Sequence, residues 1–346
     1  MKKIKALVIK DKQKLEFVQL NKPVVRDYEV LIKVCSCSLC TLDRRVYLGT
    51  RSKKMPFLGG HEFSGIVEEI GRGVVEVEPN DKVIVTSAYC NQCSLDRSGK
   101  GTQCQNKSKE PQRVDFEGTI QGGGLCEYLV VPAWQVIKVT SDTNLDYAAL
   151  TEPLACCVHS ISKARIKFGD TILIIGLGIM GYFHLKLALM SGARVFVSET
   201  DSSRISKAID AGAHVVINPL KQNLIEEIKT LTDNLGVNVV INTIPSAGVW
   251  CDAIESLAPY GKLIAYSSQD SQTPIGVDFN MVHSKEIEII GSLNPTIEDN
   301  EMATKLIRYG LIDMKEVIDA SYNFNNGILA FEKALEPGTY RVIINY

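Results

Sequence analysis

The chain has 346 residues, 45% of them hydrophobic, and its 38 basic and 40 acidic side chains leave a net charge of −2. That length exceeds what one hydrophobic core fills, so two domains are expected. Charges of both signs are mixed along the chain, with no basic stripe or acidic tail, which argues against nucleic acid or a membrane surface as partner. The opening MKKIKALVIKDKQKLEF returns to charges after a short apolar run, unlike a secretion signal, and no segment has membrane-spanning length, so a cytoplasmic protein is expected.

The first 150 residues or so read as short β-branched runs broken by Gly, Pro, Asn and Asp: KALVIK, KLEFVQL, EVLIKVC, SGIVEEIG, DKVIVTS, CEYLVVP and QVIKV. Such spacing predicts a barrel-like or sandwich β domain. Further on, strands alternate with amphipathic helical stretches. The strands are TILIIG (171–176), RVFVSE (194–199), HVVIN (214–218), VNVVINT (237–243), KLIAYSS (262–268) and EIEIIGS (286–292). This rhythm predicts an α/β doubly wound parallel sheet, buried on both faces. From about residue 296 helical stretches lead to a last strand, RVIINY.

Strand TILIIG runs directly into GLGIMG, so Gly176, Gly178 and Gly181 form GxGxxG at a strand-to-helix turn. Gly176 permits the tight turn, Gly178 lets the backbone approach a pyrophosphate, and Gly181 lets the helix pack on the strand. With Ile179 and Met180 between them, the phosphates are expected at the helix N-terminus. Glu199 ends the next strand, 18 residues past Gly181. A carboxylate there accepts ribose hydroxyls and repels a 2′-phosphate, which favours NAD over NADP; Arg204, close by, is the contrary feature.

Ten cysteines cluster at 35, 37 and 40, at 90, 93 and 104, and at 156 and 157, with 126 and 251 alone. In a reducing compartment such clusters suggest metal before disulfide, the plain alternative being small buried apolar side chains. GGHEFSG adds His61 and Glu62, and TEPLACC adds Glu152. One sulfur, one nitrogen and one or two oxygen ligands make an open zinc site.

Taken in order, the CxxCxxD run ending in CTLD, then GHEFSGIVEEIG, CxxC with a further Cys, GGLCEYLVVP, EPLAC and GLGIMG resemble the zinc-dependent medium-chain dehydrogenase/reductase superfamily over essentially the whole chain. The polyol (sorbitol-type) and threonine dehydrogenase branch is nearest, because EPL supplies a glutamate where alcohol dehydrogenases supply a cysteine. The resemblance implies a GroES-like β-rich catalytic domain at 1–152, completed by 296–346, and a Rossmann dinucleotide-binding domain at 153–295. It also implies a catalytic zinc on Cys40, His61, Glu62 and Glu152. A structural zinc would sit on Cys90, Cys93, Asp96 and Cys104, with aspartate where a fourth cysteine is usual. Cys35 and Cys37 match no ligand position and are expected to pack. Arg341 matches a position that approaches the cofactor pyrophosphate.

The implied activity is NAD(H)-linked interconversion of a secondary alcohol (polyol, cyclitol, sugar or sugar phosphate) and its ketone; a non-catalytic NAD(H)- and zinc-binding protein is the alternative. A homodimer or homotetramer is implied too, with EIEIIGS as a candidate pairing edge. The family relay of a Ser or Thr two residues after the zinc cysteine, and a His three further on, is absent: Leu42 and Arg45 stand there. The alcohol proton is therefore expected to leave through Glu62 or Glu152. Arg45 either pairs with an anionic substrate or faces solvent or cofactor phosphates. His159, His184, His214 and His283 read as structural, and Trp134 and Trp250 as packing residues without a stacking partner.

Overall fold

The computed structural model describes residues 2–87, 89–90, 92–106, 113–268 and 274–346. It resolves into two compact units, one made of the chain up to Ala155 together with Pro295–Tyr346, the other of Cys156–Asn294. Among the described residues no helix is long and apolar enough to cross a membrane.

In the first unit the alternation of EVLIKVCSCS decides the arrangement. Strand Glu29–Ser38 buries Val30, Ile32, Val34 and Cys37, side chains that fit a pleated surface. It pairs antiparallel with Glu62–Ile70 over nearly its whole length. On its other side Tyr128–Pro132 pairs with the first half and Arg341–Asn345 with the last residues. The full sheet has seven strands, Ile318–Asn323 and Lys82–Val85 with Val136–Lys138 completing its two flanks. A second sheet of four, led by the hairpin Lys3–Asp11 and Lys14–Asn21, supplies the facing apolar layer. One consequence matters for function: Ser38 lies opposite both Glu62 and Ile343, so three strand ends meet where Cys40, His61 and Arg341 emerge.

In this unit one strand boundary and one whole strand differ from the sequence pattern. SGIVEEIG begins at Ser64, yet its strand starts at Glu62, because ladder pairing with Ser38 outweighs the charge of that residue. Ile318–Asn323 is an unexpected strand, IDASYN having no apolar run; it is held as the parallel neighbour of the strongly apolar Arg341–Asn345.

The second unit is a six-stranded, wholly parallel sheet in the order Val215–Ile217, Arg194–Ser198, Thr171–Ile175, Val237–Asn242, Leu257–Ala265, Glu288–Gly291. The chain begins in the middle and reverses direction of winding between Thr171–Ile175 and Val237–Asn242, the switch point of a doubly wound sheet. Ile172, Leu173 and Ile174 are all fully buried, as a strand covered on both faces requires. The fifth strand starts at Leu257, five residues before the apolar run KLIAYSS, and accommodates Tyr260 at a φ of 61°.

Helix Ile179–Met190 carries His184, which is wholly buried. Its Nδ1–H donates to the Met180 carbonyl at 2.7 Å, its ring stands edge-on to Tyr266 at 4.7 Å, and its Nε2 has no hydrogen-bond partner among the described residues. Burial, only partly opposed by the Met180 bond, lowers its pKa from 6.5 to about 4. The unfolded chain therefore takes up this proton first, and the stability that neutral His184 supports is present above its unfolded pKa and lost as pH falls from about 6.5 toward 4. The full effect is roughly 3 kcal/mol. Denaturant midpoints measured across this window should fall less steeply for His184→Phe than for the parent chain; equal slopes would remove His184 as the cause.

Candidate metal centre and nucleotide turn

The strand end that delivers Cys40 is followed at once by helix Thr41–Tyr47, with Cys40 as its N-cap. The third helical residue, Asp43, is fully buried, and its two carboxylate oxygens accept from the backbone N–H of Cys40 at 3.1 Å and of Gly60 at 3.2 Å. One side chain thus ties the cysteine to the segment that enters His61. Burial raises the Asp43 pKa, opposed by His61 and by those two N–H groups. Gly59 is obligatory beside it, since a Cβ there would stand 2.1 Å from Asp43 Oδ1. Gly60 takes a φ of +84°, the left-handed region that glycine tolerates.

Cys40, His61 and Glu62 offer a thiol, an imidazole nitrogen and a carboxylate oxygen within 4.8 Å of one another. Burial and the Glu62 charge push the Cys40 thiol up, while His61 and Arg341 oppose them. His61 is half-buried; burial disfavours its charge, but Cys40, Glu152 and Asp43 carry its pKa well above the ordinary imidazole value. Its Nδ1 is buried without a hydrogen-bond partner among the described residues. Crowded soft and hard donors with an unsatisfied ring nitrogen fit a divalent cation, which replaces protons on such ligands.

Glu62 and Arg341 are both buried and form a bidentate pair, Nε to Oε2 at 2.9 Å and Nη2 to Oε1 at 2.8 Å. Ser38 Oγ donates a further bond to Oε2 at 2.6 Å, and Arg341 Nη2 lies 3.8 Å from Cys40 Sγ. Burial alone would raise the Glu62 pKa; the guanidinium, His61 and Ser38 bring it below the usual value and keep the carboxylate charged. The guanidinium of Arg341 is committed to Glu62, because a buried carboxylate demands a buried cation. Glu62 is likewise held as an ion-pair partner, a poor acceptor for a substrate proton.

Glu152 opens helix Thr151–Ala164, half-buried, and acts electrostatically on both His61 and Arg341. It lies outside the compact donor group formed by Cys40, His61 and Glu62. Leu42 is half-buried and packs against the core of the first unit. Arg45 is half-buried on the same helix, its carbonyl accepting from the N–H of Thr50 at 2.9 Å and of Arg51 at 3.1 Å.

Cys90, Cys93, Asp96 and Cys104 also bring their donor atoms within 4.8 Å of one another. The sulfurs already receive backbone donors: Cys93 N–H to Cys90 Sγ at 3.2 Å, and Cys90 and Asn106 N–H to Cys104 Sγ, each at 3.3 Å. N–H groups aimed at sulfur favour thiolates. Those of Asp96 and Gln105 lower the Cys93 pKa, whereas burial raises that of Cys104 to about 11. Trp134 stacks at 6.5 Å on Tyr89, next to Cys90, so its partner was adjacent in space and remote in sequence.

At the end of Thr171–Ile175, Gly176 has a φ of +86° and Gly178 caps helix Ile179–Met190. A Cβ on Gly181 would meet Gly176 O at 1.9 Å, whereas one on Gly178 would meet nothing within 4 Å. The turn is thus closed at Gly181 and has room at Gly178 among the described residues, the helix N-terminus at which a pyrophosphate would be cradled. Glu199 is buried with both oxygens in use: Oε2 accepts from Leu177 N–H at 2.6 Å, Oε1 from the N–H of Thr200 at 2.7 Å and of Asp201 at 3.0 Å. The expectation of a carboxylate waiting for ribose hydroxyls is therefore modified, since this one braces the turn and a ribose would share its oxygens. Arg204 lies on helix Ser202–Asp210, its N–H donating to the capping Asp201 at 3.0 Å.

Residues 26–141 match the alcohol dehydrogenase GroES-like domain, and residues 178–308 match the zinc-binding dehydrogenase family. An L-threonine 3-dehydrogenase of Pyrococcus abyssi is 30% identical, over 93% of this chain and 91% of that protein. The chain belongs to the medium-chain dehydrogenase/reductase superfamily. A D-arabitol-phosphate dehydrogenase of Enterococcus avium is 28% identical over 95% of this chain and 93% of its own length. The crystal structure of galactitol-1-phosphate dehydrogenase from Escherichia coli superposes with a TM-score of 0.87 over 99% of this chain and 100% of that one; at 22% identity it speaks for the fold alone. As a superfamily member this chain is an oxidoreductase with a GroES-like unit and a Rossmann sheet.

Two residues of this oxidoreductase had no role assigned from the sequence motifs. Asp43 stands three positions past Cys40, and the C-x-x-D spacing was its signal, an N-cap followed by an acid at the third helical position. Ser38 had none, since its partner Glu62 is set by strand register. The Glu62–Arg341 pair supplies a direct test: Arg341→Met should cost about 3–5 kcal/mol by stranding a buried carboxylate. Adding Glu62→Gln should recover much of that loss in the denaturation midpoint. Purely additive losses would show that the pair does not act as a unit.

Proposed function

We propose that this chain is a zinc-dependent, NAD(H)-linked oxidoreductase that interconverts a secondary alcohol and its ketone. The observation that carries the reading is the convergence of the Cys40, His61 and Glu62 donors within 4.8 Å. Cys40, His61 and Glu62 would hold the catalytic ion, with Glu152 beside it. Cys90, Cys93, Asp96 and Cys104 would hold a structural one. When bound, zinc supplies Lewis acidity at the alcohol oxygen and the nicotinamide supplies the hydride acceptor.

The chain's own residues do the rest. Asp43 keeps Cys40 and the entry to His61 in one geometry. Arg341 holds Glu62 charged, adding negative potential that favours a cation at the thiol. Leu42 packs against the core of the first unit and offers no hydroxyl for a relay. Glu152, electrostatically coupled to His61, is then the carboxylate that accepts the hydroxyl proton, in place of the Glu62 route. Gly176, Gly178, Ile179, Met180 and Gly181 would cradle the pyrophosphate. The fixed charge of Glu199 disfavours a 2′-phosphate and so favours NAD. The names of the similar arabitol-phosphate and threonine dehydrogenases support a hydroxylated small molecule, and we place the substrate among polyols, cyclitols, sugars and sugar phosphates. Assembly as a homodimer or homotetramer would use the edge strand Glu288–Gly291, whose Ile289 is exposed.

Metal analysis with NADH formation on a panel of secondary alcohols tests this. Zinc should co-purify, and chelation should abolish turnover; a zinc-loaded chain that reduces NAD with none of them would overturn the reading. Glu152→Gln, with zinc content checked, should slow alcohol oxidation about 100-fold or more and remove the acid limb of its pH profile. An unchanged rate and profile would exclude that role.

A further inference from the structure

Residues 41–60 leave Cys40 and return to His61, and Asp43 closes the neck of that excursion through the N–H groups of Cys40 and Gly60. The loop carries five cations, Arg44, Arg45, Arg51, Lys53 and Lys54, and a single carboxylate, which is the buried Asp43 itself. On a chain whose net charge is −2, this is a local excess of one sign tethered to two candidate metal ligands.

The loop is also held in place. Val46, Phe57 and Leu58 are fully buried, and the Tyr47 ring packs on Phe331 at 5.7 Å. Gln13 N–H donates to the Tyr47 carbonyl at 2.8 Å, which seats the tip of the first hairpin on the loop. That tip brings another cation, since Lys12 runs across Gly49, its Cδ 2.8 Å from where a Cβ would stand. The acid of the tip, Asp11, turns its carboxylate to the Lys12 N–H at 2.7 Å. Thr50, Arg51, Ser52 and Lys54 are exposed and Lys53 half-buried, beside anchored apolar residues, while the Arg44 guanidinium donates to the Thr339 carbonyl at 3.4 Å.

A neutral polyol draws nothing from such a field. An anion gains attraction on approach and, once bound, guanidinium and ammonium donors for its oxygens. We infer that the substrate is a phosphate monoester of a polyol or sugar, its phosphate bound by the basic loop 44–54 while its hydroxyl faces Cys40 and His61. The inference rests on the proposed dehydrogenase reading and narrows its substrate class.

The test uses the zinc-loaded full chain with NAD and matched pairs: glucitol with glucitol 6-phosphate, arabitol with its terminal phosphate, and a hexonate as a carboxylate control. The esters should exceed the free polyols in kcat/KM by about 10-fold or more, and the advantage should shrink between about 0.02 M and about 0.3 M KCl as the charges are screened. A combined Arg51→Gln, Lys53→Gln, Lys54→Gln variant should raise KM for the ester about 10-fold with kcat held, and change kcat/KM for the free polyol less than about 2-fold. Its denaturation midpoint should match the parent, which separates lost recognition from lost fold. Turnover of free polyols as good as that of esters, preference for the hexonate, or equal loss on both substrates in the variant would overturn the inference and leave the dehydrogenase reading standing. Turnover of none of them would remove both.

Discussion

The buried ion pair of Glu62 and Arg341 joins residues 279 apart in sequence and sets the terms for everything around it. Neither charge is tolerable alone in that interior, because the desolvation of each is repaid only by the other with good geometry. Glu62 is delivered by the start of one strand and Arg341 by the start of the last, both flanking Glu29–Ser38. Register along that middle strand therefore places the pair, and the pair in turn locks the strand ends from which Cys40 and His61 project. The Cys40 thiol 3.8 Å from a guanidinium is a consequence of this arrangement.

Asp43 provides the second tie, made through backbone rather than charge. By accepting from Cys40 and Gly60 it converts two chain segments into one rigid frame, and the tight contact at Gly59 shows how little room the frame leaves. The same tie fixes the basic loop, so local geometry at the candidate ligands and the electrostatics of approach come from one carboxylate. In the second unit Glu199 plays a comparable part, bracing Leu177 in the glycine turn against Thr200 and Asp201 at the next strand end. In each unit an acid that looks available in sequence is consumed in accepting from backbone N–H groups that would otherwise be buried without an acceptor.

Much of the architecture was legible because periodicity and glycine chemistry are local. The apolar runs around residues 171–176, 194–199 and 237–243 are strands of a parallel sheet, and GLGIMG is the turn between the first strand and a helix. His61, Glu62 and the cysteine clusters stood out by residue type and spacing, the family resemblance singled out Cys40 and Asp96, and the fold brings Cys40, His61 and Glu62, and separately Cys90, Cys93, Asp96 and Cys104, together. Less legible were strands without apolar signal, such as Ile318–Asn323, and side chains whose partners lie far along the chain, such as Trp134 on Tyr89.

By itself the sequence determined the two-unit α/β organisation, the nucleotide turn and which donors could gather, since those follow from side-chain period, backbone freedom at glycine and the chemistry of sulfur, nitrogen and oxygen. Only the tertiary structure decided what each charged residue is for. Arg341 serves Glu62, Glu199 serves the glycine turn, and Asp43 closes a basic loop, because a buried charge must be satisfied by whichever partner the fold places beside it, and that neighbour is not written in the local sequence.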